Sequence, residues 1–251
     1  MIPWKTLASV ATNDGPLELR QRGDDEFLIV VGGRVLMTST TKISEQALAT
    51  LAVSALEGRP APRVLIGGLG MGYTVRAALD TLTTHKMKGN VTVCELTRTV
   101  VDWCKGPLAR LTNSCVTDKR VSVVVGDVAH HIARTRPGHY DAIILDLYEG
   151  PYKATQRRED PFFGPTALAR THAALAPDGV FSVWAEDHDA SFVRRLEAAN
   201  FTARYHKLGQ GGRRHVVYVA KRLAPITRAA RPAPPPRGPR DAAPAPRNRR
   251  R

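Results

Sequence analysis

The chain contains 251 residues, 43% of them hydrophobic, and has a formal net charge of +14. Its length suffices for one substantial core and leaves little room for two large domains. No run reaches the roughly 18 apolar residues of a membrane-spanning helix, and the start lacks a signal-peptide layout, so a cytoplasmic protein is expected. The cysteines Cys94, Cys104 and Cys115 fit no zinc or disulfide spacing, and no two histidines are spaced i, i+4. We therefore predict no metal site.

The first 43 residues are predicted to form a small N-terminal β-ribbon. The short runs LELRQR and EFLIVV are separated by a Gly-Asp-Asp turn, and a Gly-Gly pair leads into a third run, RVLMTS. The alanine- and leucine-rich segment 44–56 then has helical spacing and ends before Gly58.

Residues 44–224 are predicted to form one Rossmann-like domain. After Pro62, nearly continuous apolar runs alternate with segments long enough for crossover helices, as in a parallel sheet that is covered on both faces. These runs are RVLIG, VTVCE, VSVVVGD, YDAIILD and GVFSVW, and FTARYHKL and RHVVYVAK then read as a closing hairpin. Five β/α units followed by a hairpin predict an α/β fold with a seven-stranded methyltransferase-type sheet.

Residues 225–251 form a basic tail that is predicted to be disordered. The tail is rich in proline and alanine, and its eight arginines and one aspartate account for half of the net charge of +14. Such a composition buries too little apolar surface to offset the entropy of ordering. The tail is either a solvated extension or an electrostatic contact for nucleic acid or another anionic surface.

The glycine-rich segment after the run RVLIG predicts a ligand-binding turn. It contains Gly67, Gly68, Gly70 and Gly72 and leads into a helical segment. Glycines let the backbone approach a ligand closely, and the start of a helix offers unpaired N–H groups.

Acidic residues close three successive strands of the predicted sheet. Glu95 follows Gly72 by 23 residues and can accept hydrogen bonds from two ribose hydroxyls. Asp127 can reach an adenine amino group or cap the next helix, and Asp146 precedes a loop. Since ligands bind at the carboxyl edge of open α/β sheets, these residues predict a site for an adenosine-containing ligand. Tyr148, in the loop after Asp146, is a candidate wall for an acceptor pocket.

Several of these segments together resemble the spermidine synthase family in order and spacing, over roughly residues 15–220. The resemblance rests on the glycine loop, Glu95, Gly126-Asp127, YDAIILD, Phe162-Phe163 and LAPDGVFSVWAE. It implies a transferase that uses S-adenosylmethionine or its decarboxylated form as donor and a small amine as acceptor, with a possible homodimer. By this resemblance Asp146 orients or deprotonates the amine, Glu149 stands near the second acid of that loop, and Glu45 binds substrate.

The chain departs from the family pattern at two places. The glycine loop has Gly70 or Met71 where the family carries an aspartate that holds the donor's amine. The segment Ile43-Ser44-Glu45 replaces a Tyr-His-Glu triplet. The sequence therefore leaves methyl and aminopropyl transfer open. A nicotinamide-dependent enzyme, and a catalytically idle adenosine-binding protein that contacts nucleic acid through its tail, are the alternative hypotheses.

Overall fold

The N-terminal segment forms a separate antiparallel sheet. The computed structural model describes residues 2–152, 155, 157–209 and 215–224. The sheet has the order β1-β2-β3-β4, with strands β1 (Lys5–Thr12), β2 (Gly15–Arg22), β3 (Glu26–Val31) and β4 (Arg34–Thr38). The ribbon predicted from three runs thus has a fourth strand, β1. Most β1 residues are exposed, so its sequence shows little of the apolar alternation that marks a half-buried strand.

The second sheet has seven strands, as predicted. Its order is β10-β11-β9-β8-β5-β6-β7, and the hairpin strands are antiparallel to each other, with β11 also antiparallel to β9. The strands are β5 (Arg63–Gly67), β6 (Asn90–Glu95), β7 (Val121–Val125), β8 (Tyr140–Leu145), β9 (Leu175–Ala185), β10 (Phe201–Leu208) and β11 (His215–Arg222). The carboxyl ends of β5, β6, β7 and β8 therefore meet at one edge, which positions the candidate site.

Six α-helices lie among the described residues. They are α1 (Ile43–Ser54), α2 (Tyr73–Thr84), α3 (Arg98–Lys105), α4 (Val128–Arg134), α5 (Pro165–Ala174) and α6 (Ala190–Ala198). The segment between β6 and β7 is long enough for a crossover helix, but its helix ends at Lys105 and is followed by short 3-10 turns. Pro107 explains this ending, because proline disfavours helical backbone at the residue before it. No helix in the described part of the chain is long and apolar enough to cross a membrane.

Two apolar clusters cover the two faces of the large sheet. Val64, Ile66 and Ile144 pack with α1, α2 and α3, whereas Leu65 and Leu145 pack with residues of α4, α5 and α6. Successive strand residues point to opposite faces, and both faces are buried, which accounts for the nearly continuous apolar runs. The predicted disordered tail, residues 225–251, lies outside the described residues.

Candidate active site

The glycine loop between β5 and α2 has a backbone conformation that residues with a side chain rarely adopt. Gly68, Gly70 and Gly72 have positive φ angles of 89°, 50° and 87°, which L-residues rarely adopt. A Cβ at Gly67 would lie 2.8 Å from a methyl group of Val128, and one at Gly68 would overlap the carbonyl oxygen of Asp146. The loop therefore has to be glycine for the ends of β5 and β8 to approach each other this closely.

Glu95, at the end of β6, holds this loop in place. One of its carboxylate oxygens accepts a hydrogen bond from the Leu69 N–H at 2.8 Å, and the other accepts one from the Thr97 N–H at 2.9 Å. Burial raises the pKa of Glu95, and these backbone hydrogen bonds oppose that shift. Each carboxylate oxygen can accept more than one hydrogen bond, so the predicted ribose contacts are compatible with this geometry. The ribose role stays a prediction.

Asp127 caps helix α4, which is one of the two roles that its position suggested. Its Oδ1 accepts hydrogen bonds from the N–H groups of Ala129 at 2.6 Å and His130 at 3.4 Å. Both of these bonds use the same oxygen, so the cap is compatible with a further contact at Oδ2. The contact with an adenine amino group stays a prediction.

Asp146 lies directly after β8, beside the glycine loop. Its N–H donates to the Gly67 carbonyl at 2.8 Å, and its Oδ2 accepts a hydrogen bond from the Thr74 hydroxyl of α2. Burial and, to a lesser extent, the nearby charge of Glu45 raise the pKa of Asp146 to about 7, against the opposing effect of the Thr74 hydrogen bond. A carboxyl group of this kind can exchange a proton near neutral pH.

Glu45 is the acid that the fold brings beside Asp146. It lies in the first turn of α1, its Oε2 accepts a 2.7 Å hydrogen bond from the Ser44 hydroxyl, and its carbonyl lies 3.3 Å from the Thr74 hydroxyl. The same Ser44 oxygen lies 3.0 Å from Nδ1 of His215. The sequence predicts Glu45 as a site residue, but it does not predict the contacts of Ser44, Thr74 and His215 around it. No motif signals a contact between residues 171 positions apart.

Tyr148 and Glu149 lie on an exposed loop that follows Asp146. The side chain of Tyr148 is 53% exposed, and Glu149 accepts a 3.3 Å hydrogen bond from the Tyr152 hydroxyl. Their predicted contacts with substrate stay predictions.

The N-terminal sheet supplies a further contact to the glycine loop, through Met37 of β4. The Met71 N–H lies 3.3 Å from the Met37 sulfur, in donor geometry, and a Cβ at Gly70 would lie 2.9 Å from that sulfur. A thioether thus lies where a side chain at residue 70 would project. Sequence reasoning did not select Met37, because its relation to the loop depends on the packing of two separate sheets.

The glycine loop and the strand-end acids lie within a segment that matches one known family. Residues 42–205 match the family model of the spermine/spermidine synthase domain. The chain belongs to this family. The predicted resemblance is therefore confirmed.

Curated proteins that resemble the chain are named for different reactions. A polyamine aminopropyltransferase of Clostridium tetani is 28% identical over 47% of this chain and 39% of its own length. A putrescine N-methyltransferase of Nicotiana tabacum is 34% identical over 50% of this chain and 31% of its own length. A spermine synthase of Arabidopsis thaliana is 30% identical over 64% of this chain and 43% of its own length. The matching region spans less than half the length of each of these relatives.

Solved structures of the family share the fold. A spermidine synthase from Thermotoga maritima superposes with a TM-score of 0.68 at 21% identity, covering 88% of this chain and 74% of that one. A spermidine synthase in complex with the transition-state analogue AdoDATO superposes with a TM-score of 0.66, also at 21% identity and with the same coverage. At 21% identity, these matches show that the chain shares the fold of these structures.

Proposed function

We propose that this chain transfers an alkyl group from an S-adenosylmethionine-type donor to an amine. The observation that carries the proposal is the carboxyl of Asp146, whose pKa is raised to about 7 and which lies beside Glu45 and against the glycine loop. The names of the relatives, polyamine aminopropyltransferase and putrescine N-methyltransferase, support an amine as the acceptor.

The residues at the carboxyl edge of the sheet fit an adenosine-bearing donor. The backbone of the glycine loop is free of Cβ atoms at Gly68, Gly70 and Gly72, and Glu95 presents a buried carboxylate directly beside it. Glu95 would hold the ribose and Asp127 the adenine amino group. The donor would supply a carbon atom made electrophilic by a sulfonium.

Asp146 would act on the acceptor amine. An amine is mostly protonated at neutral pH and must lose that proton before its lone pair can attack. An ionised Asp146 can take the proton, because burial raises the pKa of its carboxyl to about 7. Glu45, the second carboxylate of this pair, would attract a cationic amine to the same place.

We further propose that ordinary S-adenosylmethionine is the donor and methyl the transferred group. The decarboxylated donor carries an ammonium group without a balancing carboxylate, so it favours an acidic partner in the protein. This chain has Gly70 or Met71 where the family carries that acid, and a Cβ at Gly70 would lie 2.9 Å from the Met37 sulfur. Among the relatives, the putrescine N-methyltransferase is named for this reaction, and the polyamine aminopropyltransferase is named for the other.

Binding and turnover measurements test both levels of the proposal. Calorimetry with S-adenosylmethionine, its decarboxylated form, methylthioadenosine and NAD reports donor choice, and mass spectrometry of diamines incubated with each donor reports the transferred group. We expect methylation of a diamine and tighter binding of S-adenosylmethionine than of its decarboxylated form. Aminopropylated product would overturn the donor assignment alone. Donor binding without transfer to any amine would overturn the enzymatic proposal and favour the idle binding protein.

A variant pair makes the donor test sharper. Gly70→Asp combined with Met37→Ala places an acid at the first of these two positions and removes the sulfur that would collide with it. Aspartate tolerates the left-handed backbone at residue 70 better than most residues do. The double variant should bind the decarboxylated donor more tightly than the wild type does, and Met37→Ala alone should not.

A further inference from the structure

His215 is joined to the adjacent residues Ser44 and Glu45 by a row of hydrogen bonds that ends beside Asp146. Nδ1 of His215 lies 3.0 Å from the Ser44 hydroxyl oxygen, and that hydroxyl donates to Glu45 Oε2 at 2.7 Å. His215 begins β11 and the other two residues lie in the first turn of α1. This row of hydrogen bonds therefore connects the closing hairpin of the sheet with Glu45 and Asp146.

The donor and acceptor roles in this row of hydrogen bonds follow from the single hydroxyl proton of Ser44. A serine hydroxyl has one proton, and here that proton is directed to Glu45. The Ser44 oxygen can then only accept from the imidazole, so His215 carries a proton on Nδ1. In the other neutral tautomer the imidazole would accept from Ser44, and Glu45 would lose its hydrogen bond.

The hydrogen-bonded residues lie on the same face of the sheet as Asp146, the candidate base. Ile144 and Val217 both pack in the apolar cluster beneath α1, so Asp146 and His215, each two residues away, project to that side. Trp184 of β9 lies between them, with its ring 4.9 Å from the His215 ring. Its indole nitrogen is buried and has no hydrogen-bond partner among the described residues.

The groups that surround Glu45 favour its use as a cation-binding carboxylate. The start of α1 provides the positive end of the helix dipole. Tyr73 of α2 is close enough to Glu45 that burial and this carboxylate together raise the tyrosine pKa to about 12, so the phenol stays neutral. Asp146 faces the same carboxylate from the end of β8, and Lys42 places its amine 5.5 Å from the Tyr73 ring.

We propose that His215 is a positioning residue for the amine acceptor, acting through Ser44 to hold the Glu45 carboxylate where it binds the acceptor's positive charge. This inference rests on the proposed function. His215 holds the serine proton on Glu45, and Glu45 then presents a fixed carboxylate beside Asp146. The imidazole thus acts on substrate binding through Ser44 and not by taking the proton of the amine.

Steady-state kinetics of four variants test this role. His215→Ala and Ser44→Ala should each raise KM for the amine about tenfold, with kcat and donor affinity changed less than about threefold, as expected when acceptor binding alone is lost. The double variant should be no worse than Ser44→Ala, because both changes break one chain. His215→Asn should have a KM for the amine close to that of the wild type, because the asparagine amide can donate a hydrogen bond from the position of Nδ1.

A second histidine provides the matched control. Nε2 of His85 lies 3.4 Å from the Ser54 hydroxyl, at the opposite end of α1 from Ser44. His85→Ala should leave KM for the amine unchanged. Nitrogen NMR of labelled histidine adds a readout that does not depend on turnover: His215 should carry its proton on Nδ1 in the wild type.

The outcomes separate the two proposals. An active wild type with an unchanged KM in His215→Ala, additive effects in the double variant, or a proton on Nε2 of neutral His215 would overturn the positioning role alone. A wild type that transfers nothing to any amine would overturn the proposed function, and this inference with it.

Discussion

Gly68 and Asp146 are in backbone contact, so that a Cβ on the glycine would overlap the aspartate's carbonyl oxygen. This contact joins the loop proposed to bind the donor to the residue proposed to act on the acceptor. The two halves of the site therefore depend on one close approach between the ends of β5 and β8.

Substitution of Gly68 should disrupt both halves together. Gly58 has almost the same φ angle, 91° against 89°, but a Cβ there would have no neighbour within 4 Å. Gly58→Ala should lower the free energy of unfolding by about 1 to 2 kcal/mol, from backbone strain alone. Gly68→Ala should cost about 1 to 3 kcal/mol more, because the backbones must separate, and it should weaken donor binding. Urea denaturation and calorimetry measure these effects, and equal losses in the two variants would contradict the contact.

Asp146→Asn tests the proposed base. The amide keeps the shape of the side chain but cannot take a proton, so turnover should fall about a hundredfold or more near neutral pH while most donor affinity is retained. The wild-type rate should rise as pH passes through about 7, where the carboxyl ionises. The deficit of the variant should shrink at high pH, where the amine is already deprotonated. A native rate from about pH 6 to pH 9 would exclude Asp146 as the base and leave Glu149 or Glu45 as the next candidate.

The same substitution should change stability in a pH-dependent way. The carboxyl of Asp146 has a pKa of about 7 in the folded protein and an ordinary value of 3.8. Below the ordinary value it is protonated in both states and the shift has no effect. As pH rises towards 7 the unfolded chain releases the proton first, so folding stability falls, by at most about 4 kcal/mol.

The gain in stability of Asp146→Asn over the wild type should therefore increase from about pH 4 to about pH 8. Urea denaturation across this range measures it. Asp24→Asn, which changes an exposed carboxylate in the turn between β2 and β3, is the control. A gain that is flat with pH, or that decreases, would show that the Asp146 carboxyl is not held in its neutral form.

Asp127→Asn separates the two roles that Asp127 can have. Asparagine caps a helix about as well as aspartate, so the melting temperature should stay nearly unchanged. The amide introduced by this substitution would present a donor to the adenine amino group, which is also a donor. Donor affinity should then fall by about 1 to 2 kcal/mol. Calorimetry with S-adenosylmethionine checks this, and unchanged affinity would leave Asp127 with its capping role only.

Removal of the chain after Pro225 should leave the melting temperature and donor affinity nearly unchanged. A tail rich in proline and arginine is expected to make few contacts with a core. Thermal unfolding tests this expectation, and a drop of several degrees would show that the tail packs on the folded domain. Loss of a salt-sensitive association with RNA or anionic vesicles on truncation would identify the tail as a binding element.

The large sheet and the residues at its edge could be predicted from the sequence because their signals are local. Apolar runs such as YDAIILD mark strands that are buried on both faces, and a residue at the end of such a run must lie at the carboxyl edge. The sequence predicts Glu95 and Asp146 as site residues in this way. It predicts the glycines because only glycine readily adopts the backbone of such a turn. The exposed strand β1 was missed because it lacks the apolar pattern on which such reasoning depends.

The partners of these residues were decided by tertiary structure. The raised pKa of Asp146 depends in part on Glu45, which is 101 positions earlier in the chain, and the Ser44–His215 contact joins residues 171 positions apart. Met37 reaches the glycine loop only because two separate sheets pack together. Hydrogen bonds and charge interactions act over a few ångströms in space, whereas sequence patterns report neighbours along the chain. The sequence by itself thus determined which groups stand at the edge of the sheet, and the packing of α1, β4 and β11 against that edge decided what surrounds them.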